Sequence, residues 1–190
     1  MSAAPKIPER AAIRTSRWAL WLPLALFAGF IVLVLIGLLR PASHDVASQF
    51  VGKPLPEFSL RAAADNRPGL ARANMIGGKP RLLNVFASWC APCAAEAPQL
   101  AQLAAAGVEI DGVAIRDHKP ELAAFLARYG NPYTRIGADD VSAVQMAIGS
   151  SGAPETFIID AQGVIRYQHI GEIRTEHVPM LLARLQEAGK

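Results

Sequence analysis

The sequence predicts an α/β domain with a mixed central sheet flanked by helices, preceded by one apolar helix near the N-terminus. Three observations lead to this prediction. Short apolar runs alternate with amphipathic stretches between residues 82 and 129, which is the pattern of strand–helix units. A hairpin and a closing helix are expected between residues 156 and 188. The N-terminal helix is predicted from a run of 22 uncharged residues at 18–39.

The uncharged run at 18–39, WALWLPLALFAGFIVLVLIGLL, is long enough to cross a membrane. As a helix it would measure about 33 Å, and the hydrocarbon core of a bilayer is about 30 Å thick. The alternative is a cleavable signal peptide, whose apolar region is typically about 7–15 residues long and ends at a small-x-small site. Arg40 and Pro41 stand where small residues would be needed. We therefore predict an uncleaved transmembrane anchor.

The charge of the N-terminal tail, residues 1–17, predicts the orientation of this anchor. Four basic residues and one acidic residue give the tail a net charge of +3, and the positive-inside rule keeps such a tail in the cytoplasm. Residues 40–50 then form an exported tether and residues 51–190 an exported domain. Because the tail accounts for the whole net charge of +3, the remainder gives no argument for nucleic-acid binding.

The first half of the domain is predicted to contain four strands and one helix. Two nearby prolines permit only an edge strand at 58–60, and a short strand follows at 70–73 within an irregular stretch. The apolar run LLNVF at 82–86 indicates a buried strand, and the Ala-, Leu- and Gln-rich residues 94–106 indicate a helix. Glycines bracket a further short buried strand at 112–115.

The second half is predicted to contain a hairpin and three helices. Residues 120–129 place apolar side chains at the i, i+3, i+4, i+7 spacing of an amphipathic helix, with a proline in its first turn. A shorter helix is expected at 141–147. The strands 156–160 and 164–168 are joined by Ala-Gln-Gly as a hairpin, and an amphipathic helix at 178–188 ends the domain.

Cys90 and Cys93, the two cysteines of the chain, lie where the strand 82–86 leads into the helix 94–106. The positive end of the helix dipole and the free N–H groups there favour a thiolate, the form that attacks a disulfide. We expect Cys90, nearer the helix start, to be the attacking thiolate. Cys93, one turn further in, is then the residue that resolves the mixed disulfide.

Two other uses of the cysteine pair are less favoured. A structural disulfide over so small a loop would contribute only about 2 kcal/mol, against nearly 5 kcal/mol for a loop of about 100 residues. A zinc site would need a second cysteine pair or a close histidine pair, whereas His118, His169 and His177 are scattered singly. Redox chemistry is therefore the favoured function of the pair.

Two motifs resemble known families. FASWCAPC at 86–93 resembles the W-C-x-x-C of the thioredoxin superfamily, and GAPETF at 152–157 resembles the membrane-anchored CcmG/DsbE family, the thiol:disulfide interchange proteins of cytochrome c maturation. The opening segment VGKPLPEFSL at 51–60 and the GNPY turn at 130–133 match the same family. The resemblance covers about residues 51–190 and implies a thioredoxin-like fold.

The resemblance also implies roles for residues around the cysteines. Trp89 would be a flat apolar cover beside the sulfurs, and Pro154 a cis-proline that presents backbone to an extended substrate. Glu155 separates this family from other thioredoxins, and we expect its carboxylate at a partly exposed site in contact with client side chains. Ser150 and Ser151 depart from the bulkier residues expected there.

Glu96 is the candidate for proton transfer. Asn84 stands six residues before Cys90, where many thioredoxins carry a buried acid, and an amide cannot accept a proton at working pH. Glu96 lies one helical turn after Cys93 on nearly the same face, so its carboxylate would raise the thiol pKa or relay a proton. It resembles the acidic residue of CcmG-like relatives. A solvent-exposed helix glutamate is the alternative.

The resemblance implies a periplasmic oxidoreductase tethered to the inner membrane. It would reduce the C-x-x-C-H cysteines of apocytochrome c, directly or through a partner dithiol protein. Electrons would come from a membrane reductase of the DsbD or CcdA type, and no cofactor beyond the Cys90–Cys93 disulfide and no metal is expected. Two alternatives stay open: a broader TlpA-like reductase for copper-site assembly, and a copper metallochaperone that binds through both cysteines.

Overall fold

The computed structural model describes residues 18–39 and 50–190, which belong to two separate compact units. The first contains the helix α1, Trp18–Leu39, with Pro23 inside it; its side chains are described over residues 21–37. In the described part of the chain, no helix reaches the length and apolar character needed to cross a membrane. The predicted tail at 1–17 and the predicted tether, except residue 50, lie outside the described residues.

The second unit is built on a mixed sheet, as the sequence predicts, and this sheet has five strands. The strands of this unit are β1 (Ser59–Leu60), β2 (Leu70–Ala71), β3 (Arg81–Phe86), β4 (Ile110–Ile115), β5 (Arg135–Asp139), β6 (Glu155–Ile159) and β7 (Ile165–Ile170). The five-stranded sheet has the order β5-β4-β3-β6-β7. Its first three strands are parallel to one another, and β6 and β7 add antiparallel pairs. β1 and β2 pair separately.

Helices pack around this sheet and complete the core. They are α2 (Ala91–Ala105), α3 (Lys119–Tyr129), α4 (Ala143–Ala147) and α5 (His177–Ala188), with a 3₁₀ turn at Arg72–Met75. All six residues of the central strand β3 are buried, as expected for a strand that is covered on both faces. Phe86, Leu100, Phe157 and Leu181 are among the side chains that form the single hydrophobic core.

The structure differs from the predicted elements at several places, of which three concern the sheet and the helix that carry the cysteine pair. Elsewhere the predicted strand at 70–73 ends at residue 71 and continues as the 3₁₀ turn. The strand β5 was not predicted, because its sequence RIGAD has too few apolar residues to show a period and the strand is defined by its parallel pairing with β4. β4 begins earlier than predicted because Asp111, which interrupts the apolar pattern, is buried against the Arg81 guanidinium at 3.2 Å. α2 begins at Ala91, with Pro92 in its first turn, where a proline costs no hydrogen bond.

Candidate active site

The cysteine pair lies after the carboxyl end of β3, at the first turn of α2. Cys90 is the N-cap of α2, and its Sγ accepts the backbone N–H of Cys93 at 3.2 Å. The two sulfurs form a disulfide with a Cα–Cα distance of 5.3 Å, and both side chains are buried. A backbone N–H and the helix dipole both stabilise negative charge at Cys90. This supports Cys90 as the attacking residue after reduction.

The turn before the cysteines is bound to the loop that follows β4. Ser88 donates its backbone N–H and its hydroxyl to the two carboxylate oxygens of Asp117, each at 2.6 Å. The indole N–H of Trp89 donates to the Arg116 carbonyl at 3.2 Å, while the Trp89 side chain remains 58% exposed. An exposed indole therefore lies next to Cys90, where the sequence predicts an apolar cover. Sequence reasoning did not identify the Ser88–Asp117 contact.

A groove adjoins the disulfide and is partly formed by Pro154. The Ala153–Pro154 peptide bond is cis, as the resemblance implies. Pro154 and Pro92, which stands between the two cysteines, both line a groove of about 460 Å³. Its remaining lining residues are Ser151, Gly152, Ala153, Glu155, Ile170, Gly171, Glu172 and Arg174. The groove is therefore open to an extended peptide that approaches the disulfide.

The expected exposure of Glu155 is wrong. Its side chain is 1% exposed, because Glu155 pairs with Val85 on one side and Ile170 on the other in the middle of the sheet. The carboxylate accepts the backbone N–H of Ser151 at 2.9 Å and also its hydroxyl, and it accepts the amide of Gln168 at 2.8 Å. Glu155 thus borders the groove, but its carboxylate is hydrogen-bonded to Ser151 of the groove lining and to Gln168.

Glu96 is buried, so the alternative of a solvent-exposed helix glutamate is wrong. Its side chain is 0% exposed, and its two oxygens accept the Asn84 amide and the Ile173 backbone N–H, each at 2.9 Å. Burial raises the pKa of Glu96 from 4.5 to about 7, and the two hydrogen bonds oppose this rise. A carboxyl with this pKa, one turn from Cys93, can exchange protons near neutral pH.

Asn84 and Tyr133 orient Glu96 rather than exchange protons themselves. Asn84 donates its amide to Glu96 and to the Thr156 hydroxyl at 3.0 Å, and its oxygen accepts the Tyr133 hydroxyl at 2.8 Å. Gly112 leaves room for the Tyr133 ring, since a Cβ at this position would lie 3.0 Å from the ring. Sequence reasoning did not assign Tyr133 to the site. The GNPY turn, which ends in this tyrosine, was the available signal.

Thiol–disulfide exchange is the chemistry that this arrangement can perform. Cys90 can attack a disulfide presented in the groove, and Cys93 can resolve the product while Glu96 takes up a proton. Among the residues that the structure describes, no group of three or more His, Cys, Asp or Glu side chains could hold a metal ion. The fold and the site together define a thiol:disulfide oxidoreductase of the thioredoxin class.

Similarity to known proteins identifies the family within this class. A family model described as Redoxin matches residues 50–185. The chain is 39% identical over 158 residues to the thiol:disulfide interchange protein DsbE of Yersinia pestis. The matched region is 81% of this chain and 84% of the relative. With the DsbE of Allochromatium vinosum it shares 38% identity over 180 residues, 92% of this chain and 98% of the relative. The chain belongs to the DsbE family of thiol:disulfide interchange proteins.

Solved structures share the fold. A thiol:disulfide interchange protein of the thioredoxin family from Chlorobium tepidum TLS superposes with a TM-score of 0.57 at 25% identity, covering 72% of this chain and 96% of that one. A thio-disulfide isomerase from Thermus thermophilus gives a TM-score of 0.57 at 27% identity, with coverage of 73% and 96%. The predicted thioredoxin-like fold of the second unit is confirmed.

Proposed function

We propose that this protein reduces the C-x-x-C-H cysteines of apocytochrome c, directly or through a partner dithiol protein, during cytochrome c maturation. The observation that carries the proposal is the groove beside the disulfide, lined by Pro92 and the cis-proline Pro154. Such a groove suits an extended segment with a disulfide between closely spaced cysteines. The GAPETF motif at 152–157, which resembles the family of cytochrome c maturation, supports this client class.

The reaction begins with the Cys90 thiolate of the reduced protein. It attacks one sulfur of the client disulfide, so that the client S–S bond breaks and a mixed disulfide forms. The released client sulfur takes up a proton. Cys93 then gives its proton to Glu96 and attacks the Cys90 sulfur. The second client sulfur leaves as a thiolate and takes up the proton that Glu96 returns, so the client departs as a dithiol. Its two electrons have come from Cys90 and Cys93, which end as a disulfide.

The anchor and the electron donor complete the proposal. The anchor is proposed from the sequence alone: residues 18–39 carry no charge over 22 positions, which as a helix would measure about 33 Å. We place this helix in the inner membrane, with the tail at 1–17 in the cytoplasm and the domain in the periplasm. A membrane reductase of the DsbD or CcdA type would return the disulfide to the dithiol form.

Trapping with cysteine variants tests the client. Cys93→Ser is expected to attack and accumulate a mixed disulfide with an oxidised C-x-x-C-H peptide, because resolution is lost. Cys90→Ser is expected to form none. In cells, mass spectrometry of the species trapped by Cys93→Ser should identify apocytochromes or a dithiol protein of their maturation. Capture of copper-site proteins alone would contradict the cytochrome assignment, and faster alkylation of Cys93 than of Cys90 in the reduced protein would reverse the two cysteine roles.

A further inference from the structure

We propose that His177 is a positioning residue for the client groove, and that it holds Arg174 in place only while its Nδ1 atom carries no proton. The segment concerned is residues 171–174, between β7 and α5, which we call the groove loop. The proposal rests on the proposed function, because it takes the groove as the surface that binds a peptide client.

The groove loop forms part of the groove wall. Gly171, Glu172 and Arg174 line the groove together with Pro92 and Pro154. Arg174 donates its Nε–H to the Glu172 carboxylate at 2.9 Å, and the Arg174 side chain is 63% exposed. A displacement of the loop backbone therefore moves a charged pair that a client peptide would meet.

Three titratable side chains, each from a different element, hold the backbone of the groove loop. The contacts are Ile173 N–H to Glu96 of α2 at 2.9 Å, the Glu172 carbonyl to Nε2 of His169 of β7 at 3.2 Å, and Arg174 N–H to Nδ1 of His177 of α5 at 3.0 Å. Consecutive residues of the loop are thus held from three directions. The position of the loop depends on the protonation state of its neighbours.

The His177 contact is the one that protonation reverses. A protonated Glu96 carboxyl keeps an oxygen that can accept a hydrogen bond, and a protonated His169 still donates from Nε2. In contrast, Nδ1 of His177 accepts a hydrogen bond only while it is unprotonated. Once it is protonated, its N–H faces the Arg174 N–H, and two donors confront each other. The attraction that fixes Arg174 is then replaced by repulsion.

Charged and titratable groups from three elements face His177. The His169 ring of β7 packs against the His177 ring with 4.5 Å between centroids. Arg174 of the groove loop lies on the other side of the hydrogen bond and is paired with Glu172. Glu176, the N-cap of α5, directly precedes His177, the first residue of that helix.

The test compares His177→Asn with His177→Ala in the full-length protein. Asn offers an oxygen acceptor in place of Nδ1 and does not titrate. With an oxidised C-x-x-C-H peptide, the wild-type KM is expected to rise about fivefold between pH 7.5 and pH 5.5, the effect of one hydrogen bond. His177→Asn should keep the low KM at both values, and His177→Ala should show the high KM at both. Gln186→Ala, at an exposed position near the other end of α5, is the matched control and should follow the wild type.

Two further measurements separate this proposal from the proposed function. Reduction of cystamine, a small disulfide that does not need the groove, should be the same in His177→Asn, His177→Ala and the wild type. The NMR resonance of the Arg174 amide should shift more between pH 7.5 and pH 5.5 in the wild type than in His177→Asn, where Glu96, bonded to the neighbouring Ile173, can still move it. If no variant reduces the peptide, the proposed function fails while the amide still tests the contact. Equal amide shifts in the wild type and His177→Asn, or equal KM values for Asn and Ala, would overturn the role of His177.

Discussion

Among the single residues, Glu96 has the acid–base chemistry that the fold changes most clearly. Its carboxylate has no exposed surface and is held between Asn84 and Ile173. Removal from water favours the protonated form, which is why its pKa rises to about 7. Neutral Glu96 and charged Glu96 are therefore both populated at ordinary working pH. This is the condition that a group needs in order to accept and return a proton in each turnover.

The raised pKa predicts how the stability of the oxidised protein depends on pH. The folded state binds the Glu96 proton with a pKa of about 7, against 4.5 for the unperturbed group, so the folded state holds more protons between these two values. Its contribution to the free energy of unfolding is fully present below pH 4.5 and falls as pH rises to about 7. We expect the stability of the wild type relative to Glu96→Gln to fall by about 3 kcal/mol between pH 4 and pH 8.

Urea unfolding at several pH values measures this difference. Glu121→Gln, on the exposed face of α3, is the matched control and should show a nearly constant difference from the wild type. If the stability difference between the wild type and Glu96→Gln is constant over pH as well, the fold does not raise the pKa of Glu96.

Removing the Glu96 carboxyl should also alter catalysis. The wild-type rate of peptide reduction is expected to show an inflection near pH 7 that Glu96→Gln lacks. The variant should be slower by roughly tenfold or more at neutral pH, because an amide cannot take the proton of Cys93. Thiolate absorbance at 240 nm should at the same time show thiols that ionise at lower pH, since a nearby negative charge is gone. Unchanged rate and absorbance curves would remove Glu96 from the proton path.

Among the connecting elements, the segment between α4 and β6 shapes the groove. Gly149 begins this segment with a φ of 76°, and a Cβ there would overlap the Phe50 ring. The Gly149 carbonyl accepts the Gln168 amide at 3.3 Å, and the same amide group donates to Glu155. Phe50, the α4–β6 loop and β7 thus contact one another beside the groove.

This arrangement predicts a large effect of Gly149→Ala. A left-handed backbone costs a non-glycine residue about 1–2 kcal/mol, and an overpacked contact adds about 1–3 kcal/mol, so we expect a loss of about 2–5 kcal/mol in stability. Gly152→Ala, in the same loop, has open space around its Cβ position and no positive φ. It should cost little, and urea unfolding of the two variants makes the comparison. Equal losses would show that the Phe50 contact is unimportant.

At the scale of the whole domain, the five-stranded sheet and its core are expected to hold without the disulfide. Cys90 and Cys93 close a loop across a sequence separation of three, which constrains the unfolded chain by only about 2 kcal/mol. The buried residues come from every strand of the sheet and from four helices. An oxidoreductase needs this independence, because it alternates between disulfide and dithiol in each cycle.

The reduced protein is therefore expected to remain folded. Reduction should lower the midpoint of thermal unfolding by no more than the equivalent of about 2 kcal/mol, with near-native circular dichroism before the transition. Calorimetry of oxidised and dithiothreitol-reduced protein checks this, with Cys90→Ala/Cys93→Ala as a control for effects of the reductant. Loss of the folded state on reduction would restore the structural role of the disulfide.

Local sequence is enough to predict the parts of this protein that depend on near neighbours in the chain. An apolar run followed by a helix-forming run places Cys90 at a helix start, and the structure confirms it. The cis-proline beside the site was implied by the resemblance of the GAPETF motif to its family, and the cis peptide is observed. Strand and helix propensities act over a few residues, so a single stretch of sequence is enough to predict them.

The environment of the acidic residues, in contrast, is set by contacts between distant parts of the chain. Glu96 is buried because Ile173, 77 residues away in the chain, supplies a hydrogen bond and closes the site around it. Glu155 is buried because it lies between strands on both sides, whereas the resemblance of the GAPETF motif had led us to expect a partly exposed carboxylate. Solvation and charge pairing depend on groups brought together from distant parts of the chain. For that reason the sequence predicted which carboxylates lie near the cysteines, and the fold decided what each of them can do.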